Sequence, residues 1–429
     1  MMQAWFEDAK LGIFMHYGIY AVKGIGESWS FYNKAISYAD YMKQAEGFTA
    51  SKWNAGSIAD LIVESGARYS VLTAKHHDGM ALFDTQYSDL SVVKQTPAKR
   101  DLIREYTEAV RQRGLKVGLY YSIIDWSHPD YASVFFDGTV PDRLDGINPF
   151  SNPADGVQHP EKWKRFMQFN RNQLNELLTG YGKIDLLWFD GDWERSARQW
   201  ELPEFKQYLL SMQPDLIINS RLQGHGDYKT PEQGLPITRP EGPWEFCTTI
   251  NDSWGYQGRD NHYKSPHQIL QMFVDCISMG GNMLLDIGPR EDGTVDERQE
   301  ETLRYLGRWL RQHGEAVYGT REGLMLRYYA GGSTLSKDKK NIYLFVRAAP
   351  QEAVCLKGLC NQTKKISLLH SGKECRSDIH GGVPWFNIPG ELWIYVDKAD
   401  CHPQMTVIKI ELDEPVKMHG GEGITVTHN

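Results

Sequence analysis

Two adjacent histidines stand out among the residues whose types and spacing could do chemistry. His76 and His77 follow a short apolar run and precede Asp78-Gly79, and His16 follows another such run. With Asp78 they could bind a metal ion, but adjacent residues on a strand point to opposite faces, and zinc spacings such as HExxH are absent from the sequence. Core histidines satisfied by their neighbours are a second interpretation. Because a neutral imidazole offers one donor and one acceptor, we favour a third, in which these residues bind ligand hydroxyls.

Carboxylates are the second feature. Asp190 follows an apolar run, where Gly191 lets the chain turn without covering it, although a helix N-cap or turn role is the structural alternative. Glycoside hydrolysis uses two carboxyl groups: one attacks the anomeric carbon or activates water, and the other protonates the departing oxygen. Candidates for the second are Glu232, Glu241 and Glu245, and each could instead be a surface or salt-bridge residue. Glu232 lies in a Gly-rich, Pro-containing loop, as a mobile acid on a barrel rim would. Glu245 begins an apolar run and could be a buried partner of an arginine.

The elements that must position these residues alternate between strand-like and helix-like segments. Short apolar runs that lead into polar or glycine residues occupy residues 11–15, 69–74, 116–121, 184–189, 216–218 and 282–287. Amphipathic, helix-like segments occupy residues 57–65, 101–113, 161–178, 266–279 and 296–313. Continuous apolar runs are typical of parallel strands covered on both faces. Polar groups follow nearly every strand, which favours an α/β fold of the (β/α)8-like TIM barrel type over a doubly wound sheet with one switch point.

The pattern changes after about residue 318. Short alternating runs separated by turn residues predict strands at residues 324–329, 341–346, 365–369, 391–396 and 405–412. The sequence therefore predicts a catalytic barrel over residues 1–319 and a C-terminal β-sandwich over residues 320–429.

Composition excludes several classes of protein. The chain has 429 residues with 47 Lys and Arg against 55 Asp and Glu, and this net charge of −8 argues against nucleic acid as the main partner. Without a stretch of about 18 apolar residues, no membrane insertion is expected. No signal peptide is recognisable, so we expect a cytoplasmic protein, or an exported one if a leader was removed. The six cysteines show no CxxC spacing, and unpaired thiols are favoured over a C-terminal disulfide.

Taken together, the motifs resemble the α-L-fucosidases of glycoside hydrolase family 29. The matching blocks, in order over residues 5–318, are Trp5-Phe6, Lys10-Leu-Gly-Ile-Phe-Met-His16-Tyr-Gly18, Thr73-Ala-Lys-His76-His77-Asp-Gly79, Leu187-Trp-Phe-Asp190-Gly, Trp254-Gly-Tyr256 and Gly280-Gly-Asn-Met-Leu-Leu-Asp-Ile-Gly-Pro289. Tyr17 is a departure, since many relatives have tryptophan there. The resemblance implies a retaining hydrolase on an irregular eight-fold barrel with a β-sandwich behind it. It implies no cofactor and no metal, and a fucosylated oligosaccharide or glycoconjugate as substrate.

The resemblance also implies roles for individual residues. Asp190 matches the nucleophile, and Glu232 is chosen as the acid/base, with Glu245 in reserve. The residues that match substrate-binding positions are His16, Trp29, His76, His77, Tyr121, Arg221 and Trp254. The motif Gly26-Glu-Ser-Trp-Ser30 resembles the branch that prefers α-1,3/1,4-linked fucose. A hydrolase of another α-linked sugar and a non-catalytic fucose-binding protein are the alternatives, and the oligomeric state stays open.

Overall fold

The computed structural model of the chain describes residues 2–131 and 160–421. Its α-helices are α1 (Ala4–Ala9), α2 (Trp29–Tyr32), α3 (Tyr38–Met42), α4 (Ala55–Glu64), α5 (Val92–Gln95), α6 (Leu102–Gln112), α7 (Pro160–Gly180), α8 (Leu202–Met212), α9 (Pro266–Ser278) and α10 (Glu297–His313). Its strands are β1 (Leu11–Met15), β2 (Tyr69–Lys75), β3 (Lys116–Ser122), β4 (Leu186–Asp190), β5 (Ile217–Ile218), β6 (Glu245–Thr249), β7 (Asn282–Ile287), β8 (Arg321–Glu322), β9 (Ser333–Leu335), β10 (Asn341–Val346), β11 (Ala353–Lys357), β12 (Thr363–Leu368), β13 (Ser377–His380), β14 (Glu391–Tyr395) and β15 (Thr406–Leu412).

Seven strands form one sheet in the order β5-β4-β3-β2-β1-β7-β6. The pairings from β1 to β5 are parallel. These strands are buried over almost their whole length, which explains why they appear in the sequence as continuous apolar runs. Six of the seven coincide with a predicted run. The seventh, β6, has the sequence Glu-Phe-Cys-Thr-Thr and does not form such a run, so the sequence analysis missed it.

Residues 228–232 lie between β5 and β6 and connect the two edges of this sheet. Tyr228 forms a parallel bridge with Asn219, just beyond β5, and Glu232 forms a parallel bridge with Cys247 on β6. Backbone hydrogen bonds of 2.8–3.1 Å hold the segment against the β6 side. Glu232 is therefore carried by a paired segment rather than by the mobile loop that the sequence predicted. With this segment included, eight strand positions follow one another, as expected for a (β/α)8-like barrel.

The five predicted helical segments correspond to α4, α6, α7, α9 and α10, with ends within two residues of those predicted. Asp101 caps α6, since its side chain accepts a hydrogen bond from the backbone N–H of Arg104 at 2.9 Å. Gly114 follows the helix with φ +72°, a conformation that glycine adopts without strain. The helix buries Leu102, Tyr106 and neighbouring apolar residues on one face. The short helices α1, α2, α3 and α5 and the longer α8 were not predicted.

The chain divides into two compact units. One contains Leu11–Lys264 and Leu284–Arg304, and the other contains Trp5–Lys10, Ser265–Met283 and the chain from Tyr305 onward. The second unit thus holds α9 and residues 305–319 together with the C-terminal strands. The domain boundary predicted between residues 319 and 320 stays a prediction.

The C-terminal strands form two antiparallel sheets, in the orders β12-β15-β10-β9-β8 and β11-β14-β13. Both sheets contribute to one buried core, which includes Leu344 and Ile408 from the first and Leu356 and Ile394 from the second. This is the packing of a β-sandwich. The strand predicted at residues 324–329 is wrong, because this apolar run forms a turn with Met325 and Leu326 62% and 72% exposed.

The state of the cysteines and the character of the helices can be compared with what the composition predicted. All six cysteines are free thiols. Within residues 2–131 and 160–421, no helix combines the length and the apolar character needed to cross a membrane.

Candidate active site

Asp190 is the last residue of β4, and its side chain is only 12% exposed. The hydroxyl of Tyr120 donates a hydrogen bond to Oδ2 at 3.0 Å, and Nη1 of Arg221 donates one to Oδ1 at 2.8 Å. Gly191 leaves the strand with φ +94°, so the chain turns away sharply behind the carboxylate. Both carboxylate oxygens are thus oriented by donors at the carboxyl end of the sheet, where barrel enzymes place their catalytic groups.

Arg221 contacts two carboxylates at once. While Nη1 binds Asp190, Nη2 donates a hydrogen bond to Oε2 of Glu232. The guanidinium also lies over the ring of Trp188, 4.7 Å from its centroid. Burial by itself would lower the pKa of Arg221, but the negative charges of Asp190 and Glu232 raise it by more, so the pKa lies above its usual value. Arg221 is therefore a permanent cation between two acidic groups, and its planar fork fits this arrangement.

The three predicted histidines are each anchored through Nδ1 to a side-chain oxygen 2.7 Å away. The pairs are His16 with Oδ1 of Asp286, His76 with Oγ of Ser28, and His77 with Oγ of Ser122. Burial lowers the pKa of all three imidazoles well below the usual value, and neighbouring basic groups add to the effect. The histidines are thus neutral near pH 7, and Nε2 of each remains for another partner.

The histidine pair lies beyond the end of a strand. Strand β2 ends at Lys75, so the alternation of side chains no longer separates His76 from His77, and their ring centroids are 4.2 Å apart. The ring of His76 stacks on that of Tyr120 at 5.4 Å, and Nε2 of His77 lies 3.7 Å from Oδ2 of Asp190. In the part of the chain that the structure describes, no group of three or more His, Cys, Asp or Glu residues is arranged to hold a metal ion.

Tyr121 does not reach this cluster. Its buried hydroxyl lies 2.8 Å from Oδ1 of Asn170 and 2.8 Å from Oε1 of Gln173, both on α7. Side chains alternate along β3, so Tyr120 and Ser122 face Asp190 while Tyr121 faces the helix. Tyr120, and not Tyr121, contacts Asp190 and the ring of His76. Ser122 pairs with Asp190 in the sheet register, and Tyr120 shares its face of the strand. This alternation is the signal that would have pointed to Tyr120 instead of Tyr121.

Two of the predicted aromatic residues border the histidines. Trp29 meets His77 edge-on with ring centroids 5.6 Å apart, and Trp254 lies 5.1 Å from His16. Trp193, which was not predicted, lies roughly parallel to Trp29 at 6.3 Å. All three tryptophans are partly exposed, so their rings are available to a ligand.

Glu245 has a different environment from Glu232. It is fully buried, and its oxygens accept hydrogen bonds from the hydroxyl of Tyr69 at 2.6 Å and from Nε1 of Trp188 at 3.0 Å. Burial raises the pKa of Glu245 to about 7. The partners of this carboxyl are therefore a tyrosine and a tryptophan, not the arginine that the sequence suggested.

A parallel α/β barrel that carries two carboxyl groups at the carboxyl end of its sheet has the architecture of a glycoside hydrolase. Comparison with known proteins identifies the family. The family model described as alpha-L-fucosidase matches residues 1–315, and the chain belongs to this family.

Named relatives agree with this assignment. The chain is 32% identical to the tissue alpha-L-fucosidase of Rattus norvegicus over 348 residues, which cover 74% of this chain and 70% of the relative. It is also 32% identical to the plasma alpha-L-fucosidase of Homo sapiens over 348 residues, with the same shares covered.

Solved structures extend the likeness over almost the whole chain. Alpha-L-fucosidase isoenzyme 1 from Paenibacillus thiaminolyticus superposes with a TM-score of 0.84 at 33% identity, over 96% of this chain and 98% of that one. A trapped covalent intermediate of an alpha-L-fucosidase from Bacteroides thetaiotaomicron, in complex with 2-fluoro-fucosyl fluoride, gives a TM-score of 0.81 at 27% identity, over 95% of each chain.

Proposed function

We propose that this α-L-fucosidase removes terminal α-L-fucose from glycans by a retaining double displacement, with Asp190 as nucleophile and Glu232 as acid/base. The observation that carries the proposal is the contact of Arg221 with both carboxylates. A retaining glycosidase needs its two carboxyl groups about 5 Å apart. Two carboxylates bound to the two terminal nitrogens of one guanidinium are held at a separation of this order.

In the first step, a carboxylate oxygen of Asp190 attacks the anomeric carbon as the bond from that carbon to the glycosidic oxygen breaks. Protonated Glu232 donates its proton to the departing glycosidic oxygen. In the second step, Glu232 takes a proton from water, the water attacks the anomeric carbon, and Asp190 is released. When substrate binds, Glu232 must leave Arg221, take up a proton from solvent and contact the glycosidic oxygen. Its side chain is 37% exposed, which allows that movement. Glu245 is buried with both oxygens engaged, which supports Glu232 over the reserve candidate.

The histidines and tryptophans account for recognition of the sugar. Neutral imidazoles with Nε2 available suit hydroxyl groups, which both donate and accept. Partly exposed rings such as Trp29 and Trp254 suit the apolar C6 methyl and the ring face. A methyl group in an apolar pocket contributes only about 1–3 kcal/mol of discrimination, so the hydroxyl contacts carry much of the selectivity.

We also propose a preference for α-1,3/1,4-linked fucose, because Trp29 belongs to the motif that resembles this branch of the family. The test compares release of fucose from a Lewis-type trisaccharide with release from its linear 2′-fucosylated counterpart. Faster cleavage of the linear substrate would remove this part of the proposal and leave the rest intact.

The nucleophile is tested by trapping. The relative from Bacteroides thetaiotaomicron was trapped as a covalent intermediate with 2-fluoro-fucosyl fluoride, and the same reagent should label this enzyme. After proteolysis, mass spectrometry should place the fucosyl adduct on the peptide that contains Asp190, and Asp190→Asn should take up no label. An adduct on another peptide, or fucose released with inverted anomeric configuration, contradicts the double displacement at Asp190.

The alternatives have tests of their own. A panel of nitrophenyl glycosides distinguishes a fucosidase from a hydrolase of another α-linked sugar. Calorimetric binding of fucose without product after long incubation would favour a non-catalytic binding protein.

A further inference from the structure

The hydrogen bonds around Ser122 fix the position of one proton in the active site. The hydroxyl of Ser122 has a single hydrogen, and it donates this hydrogen to the carbonyl oxygen of Ile124 at 2.6 Å. Nδ1 of His77 lies 2.7 Å from the same hydroxyl oxygen. Because Ser122 has no second hydrogen to give, it can only accept from His77. Nδ1 of His77 therefore carries a proton.

In the neutral ring, a proton on Nδ1 leaves a lone pair on Nε2. This nitrogen is buried, and among the residues that the structure describes it has no hydrogen-bond partner. It faces Oδ2 of Asp190 at 3.7 Å, which is another acceptor. A buried acceptor without a donor is costly to leave unsatisfied, so this nitrogen is suited to accept a hydrogen bond from an O–H group. Burial and the nearby charge of Lys75 lower the pKa of His77, which keeps the ring neutral.

We propose that Ser122 is a positioning residue: it holds His77 in the Nδ1–H tautomer, so that Nε2 accepts a hydrogen bond from a sugar hydroxyl and cannot donate to Asp190. The part that concerns the sugar rests on the proposed function, whereas the tautomer does not. In the opposite tautomer, Nε2–H would point at the carboxylate. The nucleophile would then hold a hydrogen bond that weakens its attack.

The fold explains why residue 122 can do this. Ser122 is the last residue of β3 and pairs with Asp190 in the sheet register, so the two side chains lie side by side at the same edge. The backbone N–H of Ile123 donates to the carbonyl oxygen of Asp190 at 2.9 Å. The serine and the nucleophile are thus fixed to each other through neighbouring strands.

The test measures the tautomer directly in the unliganded enzyme. Protein labelled with ¹⁵N-histidine is examined by NMR correlation of ring nitrogens and carbon-bound protons, with His77→Gln to assign the signals of His77. We expect a protonated Nδ1 and an unprotonated Nε2 in wild type and in Ser122→Thr, which keeps the hydroxyl. Ser122→Ala should move proton density to Nε2. A matched control is Ser70→Ala, which removes another buried serine hydroxyl on the neighbouring strand β2.

Kinetics give the second readout. Losing the anchor should lower kcat/KM of Ser122→Ala by roughly 10- to 100-fold, the size of one buried hydrogen bond left unsatisfied. Ser122→Thr should recover most of this loss, and Ser70→Ala should stay within a few fold of wild type. If Ser122→Ala fails to fold, the wild-type and threonine spectra still decide.

Two outcomes overturn the proposal. One is a wild-type spectrum with the proton on Nε2 of His77. The other is a folded Ser122→Ala enzyme with unchanged tautomer and unchanged kcat/KM. Failure of the proposed function looks different, since the wild-type spectrum would then show the expected tautomer while no fucoside is cleaved.

Discussion

Replacing Arg221 tests the arrangement on which the proposed mechanism depends. The guanidinium makes one charge-assisted hydrogen bond to Asp190 and one to Glu232. Each bond of this kind contributes about 1.5–3 kcal/mol. Because Glu232 leaves Arg221 when substrate binds, only the bond to Asp190 counts in the transition state, so Arg221→Met should lose about 1.5–3 kcal/mol, a fall in kcat/KM of roughly 10- to 100-fold. Arg221→Lys offers a single ammonium that can keep the contact with Asp190, so its loss should be smaller, within about tenfold.

The assay measures kcat/KM on an aryl fucoside and on a Lewis-type trisaccharide, together with the melting temperature. Arg104→Met is a matched control, because Arg104 also lies over an aromatic ring, 4.4 Å from the centroid of Tyr181, but has no contact with the catalytic carboxylates. The control should keep wild-type kcat/KM. An Arg221→Met enzyme with the kcat/KM of wild type would refute the reasoning, since it would show that the contact with Asp190 is not kept in the transition state.

Three further perturbations follow from the contacts. Tyr120→Phe removes a hydrogen bond to a charged group and should lower kcat/KM by about 10- to 100-fold. Tyr121→Phe should instead lower the free energy of unfolding by about 1–3 kcal/mol and leave KM unchanged. Equal kinetics for the two variants would contradict this difference. Glu232→Gln should lose at least about 10²-fold in turnover of the glycan while Glu245→Gln stays within about tenfold, and the reverse order would make Glu245 the acid/base. Burial lowers the pKa of His313 to about 4, so as the pH falls from 6.5 to 4 the imidazole takes up a proton only in the unfolded chain. The free energy of unfolding should therefore fall by about 3 kcal/mol over that range. Denaturant titrations of His313→Leu should show a smaller fall.

The sequence predicted the strands of the barrel well, because both faces of these strands are buried and a buried strand is apolar at every position. It failed where an element is stabilised by its neighbours instead of by its own apolar side chains. Residues 228–232 contain Pro231 and three polar residues, and backbone bridges to Asn219, Trp244 and Cys247 make them part of the sheet. The opposite error occurred at residues 324–329, which form a turn in which Met325 and Leu326 are exposed while Tyr329 is buried in the core. Burial decides both cases, and it depends on contacts with distant parts of the chain that a short stretch of sequence does not show.

The active site shows the same distinction at the level of single atoms. A motif can show that two histidines are adjacent, but not which ring nitrogen faces the ligand. That choice is made by the anchors of Nδ1, which lie 270, 48 and 45 residues away along the chain from the histidines they hold. Two anchors are serines and one is Asp286, so no shared residue type marks them in the sequence. Three different partner residues each hold Nδ1 of a histidine, so the feature that the three histidines share is an Nε2 available to another partner. The site is therefore best understood as three Nε2 atoms left available by their Nδ1 anchors, of which that of His77 lies 3.7 Å from Asp190, and the anchoring residues determine which of these atoms accept and which donate.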